Sequence, residues 1–216
     1  IVMYARADEK DDDFGRHILR DFANHDDFRQ ALCSEFGQEV SGFGDRQGSL
    51  LISCELIHSQ LTTVEELRRL KEFLVPYCRE IRPIVYLRRQ DRVALSAFTT
   101  SMLLGETLWD NVFLSTETQL PRYYNYSAMV RDLAEVFGRS GLIIRLFEKE
   151  RWPQSSLVLD FAGLIGQMSG DGFNLPPPQN ESLGPAALRF LCELNKRVPY
   201  LLSLIHISEP TRQAEI

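Results

Sequence analysis

The spacing of apolar residues changes character several times along the chain, and each change marks an element. Phe28, Ala31, Leu32 and Phe36 recur at helical intervals and predict a helix over residues 26–36. The short apolar run in residues 49–53 predicts a buried strand. Thr62 or Thr63, followed by Glu65 or Glu66, forms the capping-box pattern of a helix whose stripe is Val64, Leu67, Leu70, Phe73 and Leu74, and Pro76 kinks or ends it. Ile84–Leu87 is β-branched and apolar without alternation, as expected of a strand covered on both faces. Asp91 is placed to cap a helix carrying Val93, Leu95, Ser96, Met102 and Leu103. Residues 105–121 are loop-like, and a connection of that length suits a binding lid. A helix over 126–137 ends at Gly138, a strand follows over 142–147, and helices over 157–165 and 185–197 flank a proline-rich loop at 176–178. Such alternation predicts an α/β fold, three-layer α/β/α with a parallel sheet.

Composition narrows the function classes. The 216 residues are 44% hydrophobic and 25% charged, ordinary for one globular domain with a real core. No apolar run approaches the length that spans a bilayer, so a soluble, cytoplasmic chain is expected, without a transmembrane segment. Cys33, Cys54, Cys78 and Cys192 are scattered without Cys-x-x-Cys spacing, which suits a reducing compartment and predicts no metal site. The formal net charge of −6 argues against a nucleic-acid partner.

Basic residues nevertheless crowd one stretch: Arg68, Arg69, Lys71, Arg79, Arg82, Arg88, Arg89 and Arg92, opposed there only by Glu72, Glu80 and Asp91. Arg68, Arg69 and Lys71 read as a solvated helix face with Glu65 and Glu66. Arg88 reads differently. It ends an apolar strand, where open α/β sheets bind ligands, and its planar guanidinium suits a phosphate. Ser96, eight residues on, adds a neutral donor in the early turns of the next helix.

The arginine-to-serine spacing from Arg88 to Ser96 resembles the 3′-phosphate-binding element of sulfotransferases that use 3′-phosphoadenosine-5′-phosphosulfate (PAPS). Three further segments are similar to bacterial carbohydrate-type members in the same order: Leu50-Leu51-Ile52-Ser53-Cys54-Glu55, Tyr123-Tyr124-Asn125-Tyr126 with Leu133 to Gly138, and Leu142-Ile143-Ile144-Arg145-Leu146-Phe147-Glu148. The resemblance implies a P-loop nucleotide-hydrolase-like fold, PAPS as co-substrate without a metal, and a glycan or glycolipid acceptor. It also implies Arg88 and Ser96 as nucleotide-binding residues and Glu55 as the base that takes the acceptor's proton. His58 is the weaker candidate base, and Glu148 is expected to order a loop. Trp109 and Tyr123 to Tyr126 read as core or helix packing before they read as a sugar site.

The family's Gly/Lys/Ser/Thr loop for the 5′-phosphosulfate has no counterpart here, because no Gly-x-x-Lys-[Ser/Thr] run occurs. It is expected upstream of Ile1, with the first strand, so residues 1–201 read as a partial domain that does not turn over by itself. Leu202 to Arg212 resembles the in-frame translation of a transposase-end sequencing adapter, and residues 202–216 are read as a non-native tail. The competing class is a non-catalytic α/β nucleotide-binding or interaction domain. A kinase fits less well, since the strand ends in Arg88-Arg89 where a magnesium-binding acid is needed.

Overall fold

A computed structural model describes residues 1–8, 15, 19–43, 48–105, 122–167 and 183–197. It divides into two compact units, one formed by Ile1–Tyr86 with Gln119–Arg145 and the other by Leu87–Thr118 with Leu146–Ile216. In chain order the elements are α1 (Val2–Ala5), α2 (His25–Ser41), α3 (Leu56–Gln60), α4 (Val64–Leu74), β1 (Ile84–Leu87), α5 (Gln90–Leu103), α6 (Tyr126–Phe137), β2 (Ile143–Leu146), α7 (Leu157–Leu164) and α8 (Pro185–Asn195). Three short 3₁₀ turns punctuate them.

The first unit is organised around α4. Its stripe of Leu67, Leu70, Phe73 and Leu74 is buried with Val2 and Ala5 of α1, with Leu61, and with Leu133 and Val136 of α6. Thr63 is the N-cap and Glu66 completes the capping box, as the sequence predicts, and the helix stops at Leu74 just ahead of Pro76. Glu66 does more than close that box. Buried at 1% exposure, it accepts from the backbone N–H groups of Thr62 (2.7 Å), Thr63 (3.0 Å) and distant Ala7 (2.9 Å). At the other end of α4, Lys71 donates to the carbonyl of Val136 (2.7 Å) in the last turn of α6, where helix carbonyls lack intrahelical partners and the dipole favours a cation. Gly138 ends α6 with φ of 87°, a conformation open to glycine.

Helix α2 begins with Asn24 accepting from the N–H of Asp27 and runs to Ser41, five residues beyond the expected end. It continues through Gly37, whose missing Cβ would lie 3.4 Å from the Tyr77 hydroxyl, so the ring lies close over the glycine. Arg29 ties α2 to the amino-terminal segment by donating to the carbonyls of Tyr4 (3.1 Å) and Arg6 (3.3 Å) and pairing with Asp8.

The expected strand over residues 49–53 does not form. The segment is irregular, with Leu50 and Leu51 exposed, and a strand exists only where a neighbour accepts its ladder. Among the described residues, β1 and β2 pair with each other in a two-stranded parallel sheet, so the chain is of mixed α/β construction. The pairing is framed by Ile143 N–H to Pro83 O (2.9 Å) and Phe147 N–H to Leu87 O (2.8 Å). β1 is half-buried throughout, whereas β2 alternates and leaves Ile144 and Leu146 exposed.

The second unit has its own small core, in which Phe98 and Met102 of α5 meet Cys192 of α8, flanked by Leu188 and Leu191. Asn195 donates to the carbonyl of Met102 (2.8 Å) near the end of α5. Asp91 is not the cap of α5. That position belongs to Arg89, and Asp91 sits in the first turn, where its charge favours the helix dipole. α7 is capped by Ser156, which accepts from the N–H of Leu159. All but the first residue of the expected loop at 105–121, the proline-rich loop at 176–178, Trp109, and the tail at 202–216 lie outside the described residues. No helix among the described residues is long and apolar enough to cross a membrane.

Candidate functional site

The parallel pairing of β1 and β2 puts both carboxyl ends at one edge of the sheet, and the residues that follow them make the strongest site in the second unit. Arg88 leaves β1 half-buried. Its guanidinium carbon lies 5.5 Å from the centre of the Phe147 ring, within cation–π range. Phe147 owes that position to the last ladder bond, from its N–H to Leu87 O. Trp152 meets Phe147 edge-on (4.8 Å between centroids, 82°), and its indole N–H donates to the carbonyl of Leu146 (3.3 Å).

The charges of the basic stretch and of the acids next to Arg88 in sequence are already allocated, each within its own unit. Asp91 receives both guanidinium bonds of Arg89 (3.0 and 3.1 Å), and Glu148 is taken by Arg151. Arg68 pairs with Glu135, Arg69 with Glu65, and Arg82 with Glu80. Arg68 and Arg69 pair with Glu65, as a solvated face would have them, but Glu66 is buried, and Arg68 and Lys71 reach α6 through Glu135 and the Val136 carbonyl. Arg79 and Arg92 have no carboxylate among the described residues, but they are exposed and fully solvated. Arg88 combines partial withdrawal from water with the lack of a carboxylate among the described residues, the condition in which a cation gains most from an incoming anion.

Ser96 lies in the second turn of α5, exposed, about 9 Å along the axis from Gln90 at 1.5 Å per residue. It shares the unit of Arg88, and no hydrogen bond joins the two. Glu55 belongs to the other unit. It is exposed and precedes the five-residue helix α3, following the irregular segment rather than a strand, and it has no ion pair among the described residues.

His58 instead turns inward within the first unit. Its ring stacks on Tyr123 (4.6 Å, 14°), with Tyr126 beyond at 6.4 Å, and its Nε2 is buried without a hydrogen-bond partner. Burial, with the nearby positive charge of Arg122, lowers its pKa from the ordinary 6.5. The sign of the linkage follows. Above pH 6.5 the residue is neutral in both states; as pH falls below that value the unfolded chain takes up a proton that the folded chain resists, so stability declines. Urea midpoints measured from pH 7.5 to 5 are expected to fall more steeply for the wild type than for His58→Phe, and parallel curves would refute the assignment.

Sequence reasoning missed Phe147 and Trp152 as partners of Arg88. The signal was present in the two apolar strands ending Leu87-Arg88 and Leu146-Phe147, which parallel pairing in register sets side by side. No cluster of potential metal ligands occurs among the described residues. No family model, curated protein or solved structure matches the chain.

Proposed function

We propose that the chain is part of a PAPS-dependent sulfotransferase of the carbohydrate type, with a three-layer α/β/α architecture, and that Arg88 holds the 3′-phosphate of the nucleotide. The observation that carries this reading is the half-buried Arg88 at the carboxyl end of a parallel strand, its guanidinium over an aromatic ring and the neighbouring acids Asp91 and Glu148 committed to other arginines. A guanidinium so placed offers in-plane N–H donors to a tetrahedral oxyanion, and the positive end of the α5 dipole lies just beyond it.

In such a transfer the sulfur–oxygen bond to the 5′-phosphate breaks as a new one forms to the acceptor hydroxyl or amine. The acceptor's proton passes to a base, and adenosine 3′,5′-bisphosphate leaves. Arg88 and Ser96 serve nucleotide binding in this scheme, and Glu55 serves as the base. The acceptor is a glycan or glycolipid.

Calorimetric titration with adenosine 3′,5′-bisphosphate tests the reading. Losing a charged bidentate contact is expected to weaken binding by Arg88→Ala about ten- to a hundred-fold. Equal affinity of the two proteins would remove Arg88 from the site. A second reading, a nucleotide-binding domain without transfer chemistry, is favoured by Glu55, which is solvated and has no strand before it to hold it. The two readings part on whether a longer parent protein moves label from radiolabelled PAPS to a glycan, and whether Glu55→Gln stops it.

A further inference from the structure

We infer that Phe147, buttressed by Trp152, is a positioning residue that fixes the orientation of the Arg88 guanidinium and so sets its selectivity for a tetrahedral oxyanion; this rests on the nucleotide-binding reading above. An arginine side chain has four rotatable bonds, and an exposed one loses much of that freedom when it grips a ligand. Part of that freedom is already given up in the unliganded protein, where the guanidinium carbon lies over the Phe147 ring, 5.5 Å from its centre. A cation–π contact engages the π-face of the ring and uses none of the guanidinium's N–H donors in a hydrogen bond.

Each support of the ring is itself anchored by a backbone group. Phe147 is placed by its N–H bond to Leu87 O, from the residue immediately before Arg88, so ring and guanidinium are registered by the same step of the sheet. Trp152 is held edge-on against Phe147 by its indole bond to Leu146 O. The Glu148 N–H also donates to Leu146 O (2.9 Å), and the Arg151 N–H to Glu148 O (3.0 Å), which folds the intervening turn back toward the strand end. That turn pairs Glu148 with Arg151, so the acid next in sequence to the platform is occupied. The arrangement amounts to a preorganised donor fork with its competing carboxylate engaged elsewhere, the condition under which binding free energy is least consumed by ordering.

The test is a double-mutant cycle on the 216-residue chain, read by titration with adenosine 3′,5′-bisphosphate. Phe147→Leu keeps an apolar side chain but removes the ring, and is expected to weaken binding about three- to ten-fold, the range of one partly solvated cation–π contact. Phe147→Tyr retains the ring and is expected to bind as the wild type does. In the Arg88→Ala background the Phe147→Leu loss is expected to vanish, which a merely structural role would not produce. A ligand-independent readout is the Arg88 Nε–H resonance, identified by its absence in Arg88→Lys: ring-current shielding displaces it in the wild type, and Phe147→Leu is expected to return it toward the free-arginine position.

If Arg88→Ala binds more weakly than the wild type, while Phe147→Leu binds normally or loses affinity equally in both backgrounds, the positioning role is overturned and the nucleotide reading stands. An unchanged Arg88 resonance in Phe147→Leu likewise overturns it. No binding by the wild type would overturn the nucleotide reading, and the positioning role with it.

Discussion

Glu66→Ala is expected to destabilise the first unit by about 3 to 5 kcal/mol, because it removes a buried carboxylate that several partly buried backbone donors share. The carboxylate is 1% exposed and accepts from three backbone N–H groups, two at the start of α4 and one at Ala7. Removing an acceptor from a buried donor carries a desolvation penalty of about 1 to 3 kcal/mol for each group left unsatisfied, larger than the net gain of an ordinary hydrogen bond. Thr63→Ala is the internal control. It removes the Thr63 hydroxyl, and with it the 3.2 Å bond from Glu66 N–H and the hydroxyl's own 3.1 Å bond to the Glu66 carboxylate, and is expected to cost about 1 kcal/mol. Urea unfolding of the two variants checks the ordering. A Glu66→Ala protein no less stable than Thr63→Ala would mean that the link from α4 to Ala7 carries no weight.

Phe73→Ala is expected to cost a similar amount, about 3 to 5 kcal/mol, by a different mechanism. Phe73 is 3% exposed on the buried face of α4, and its ring meets those of Tyr4 (4.7 Å), Phe36 (5.0 Å) and Tyr77 (6.0 Å). It is the shared member of an aromatic cluster that joins α1, α2 and the turn after α4. Truncation removes the transfer free energy of the ring and leaves a cavity walled by large planar side chains that collapse poorly. Phe73→Leu is expected to recover more than half of the loss, since it restores most of the volume. If calorimetric unfolding shows the alanine variant within 1 kcal/mol of the wild type, roughly the size of a surface substitution, the cluster does not bear on stability.

What could be read from the chain beforehand divides along the range of the interactions involved. The start of α4 was legible because its cap is local: Thr63 and Glu66 lie three residues apart and satisfy each other's backbone whatever surrounds them. β1 and α6 were legible for the same reason, one from a β-branched run and the other from helical spacing closed by Gly138. Residues 49–53 carried an equally apolar run and did not form a strand, since pairing depends on a neighbour that composition does not reveal. The far partner of Glu66 was hidden likewise, 59 positions away at Ala7.

The candidate site shows the same division. The position of Arg88 at a strand end could be read directly, and so could the pairing of Arg68 and Arg69 with Glu65 on their own helix, whereas the reach of Arg68 and Lys71 to α6 could not. The platform beneath Arg88 could not, because Phe147 reaches it through a register set between two strands far apart in sequence. His58 read as a weaker candidate base beside Glu55, and its environment, made by Tyr123 and Tyr126 from a distant helix entry, was not legible.

The interleaving of the two units governs how this chain can be assembled and dissected. The first unit is built from residues before Leu87 and after Thr118, and the core that Leu67, Leu70 and Phe73 share with Leu133 and Val136 stays open until both stretches exist. During synthesis from the amino end, the α4 stripe is therefore exposed while the excursion from Leu87 to Thr118 is being made, and closing that excursion costs on the order of 3 kcal/mol in chain entropy. No single cut of the gene separates one unit from the other. Any expression strategy that stops short of α6 leaves a sticky amphipathic helix in place of half a protein, whereas a deletion variant that joins residue 86 to residue 119 and ends at residue 145 would carry both stretches of the first unit in one continuous chain.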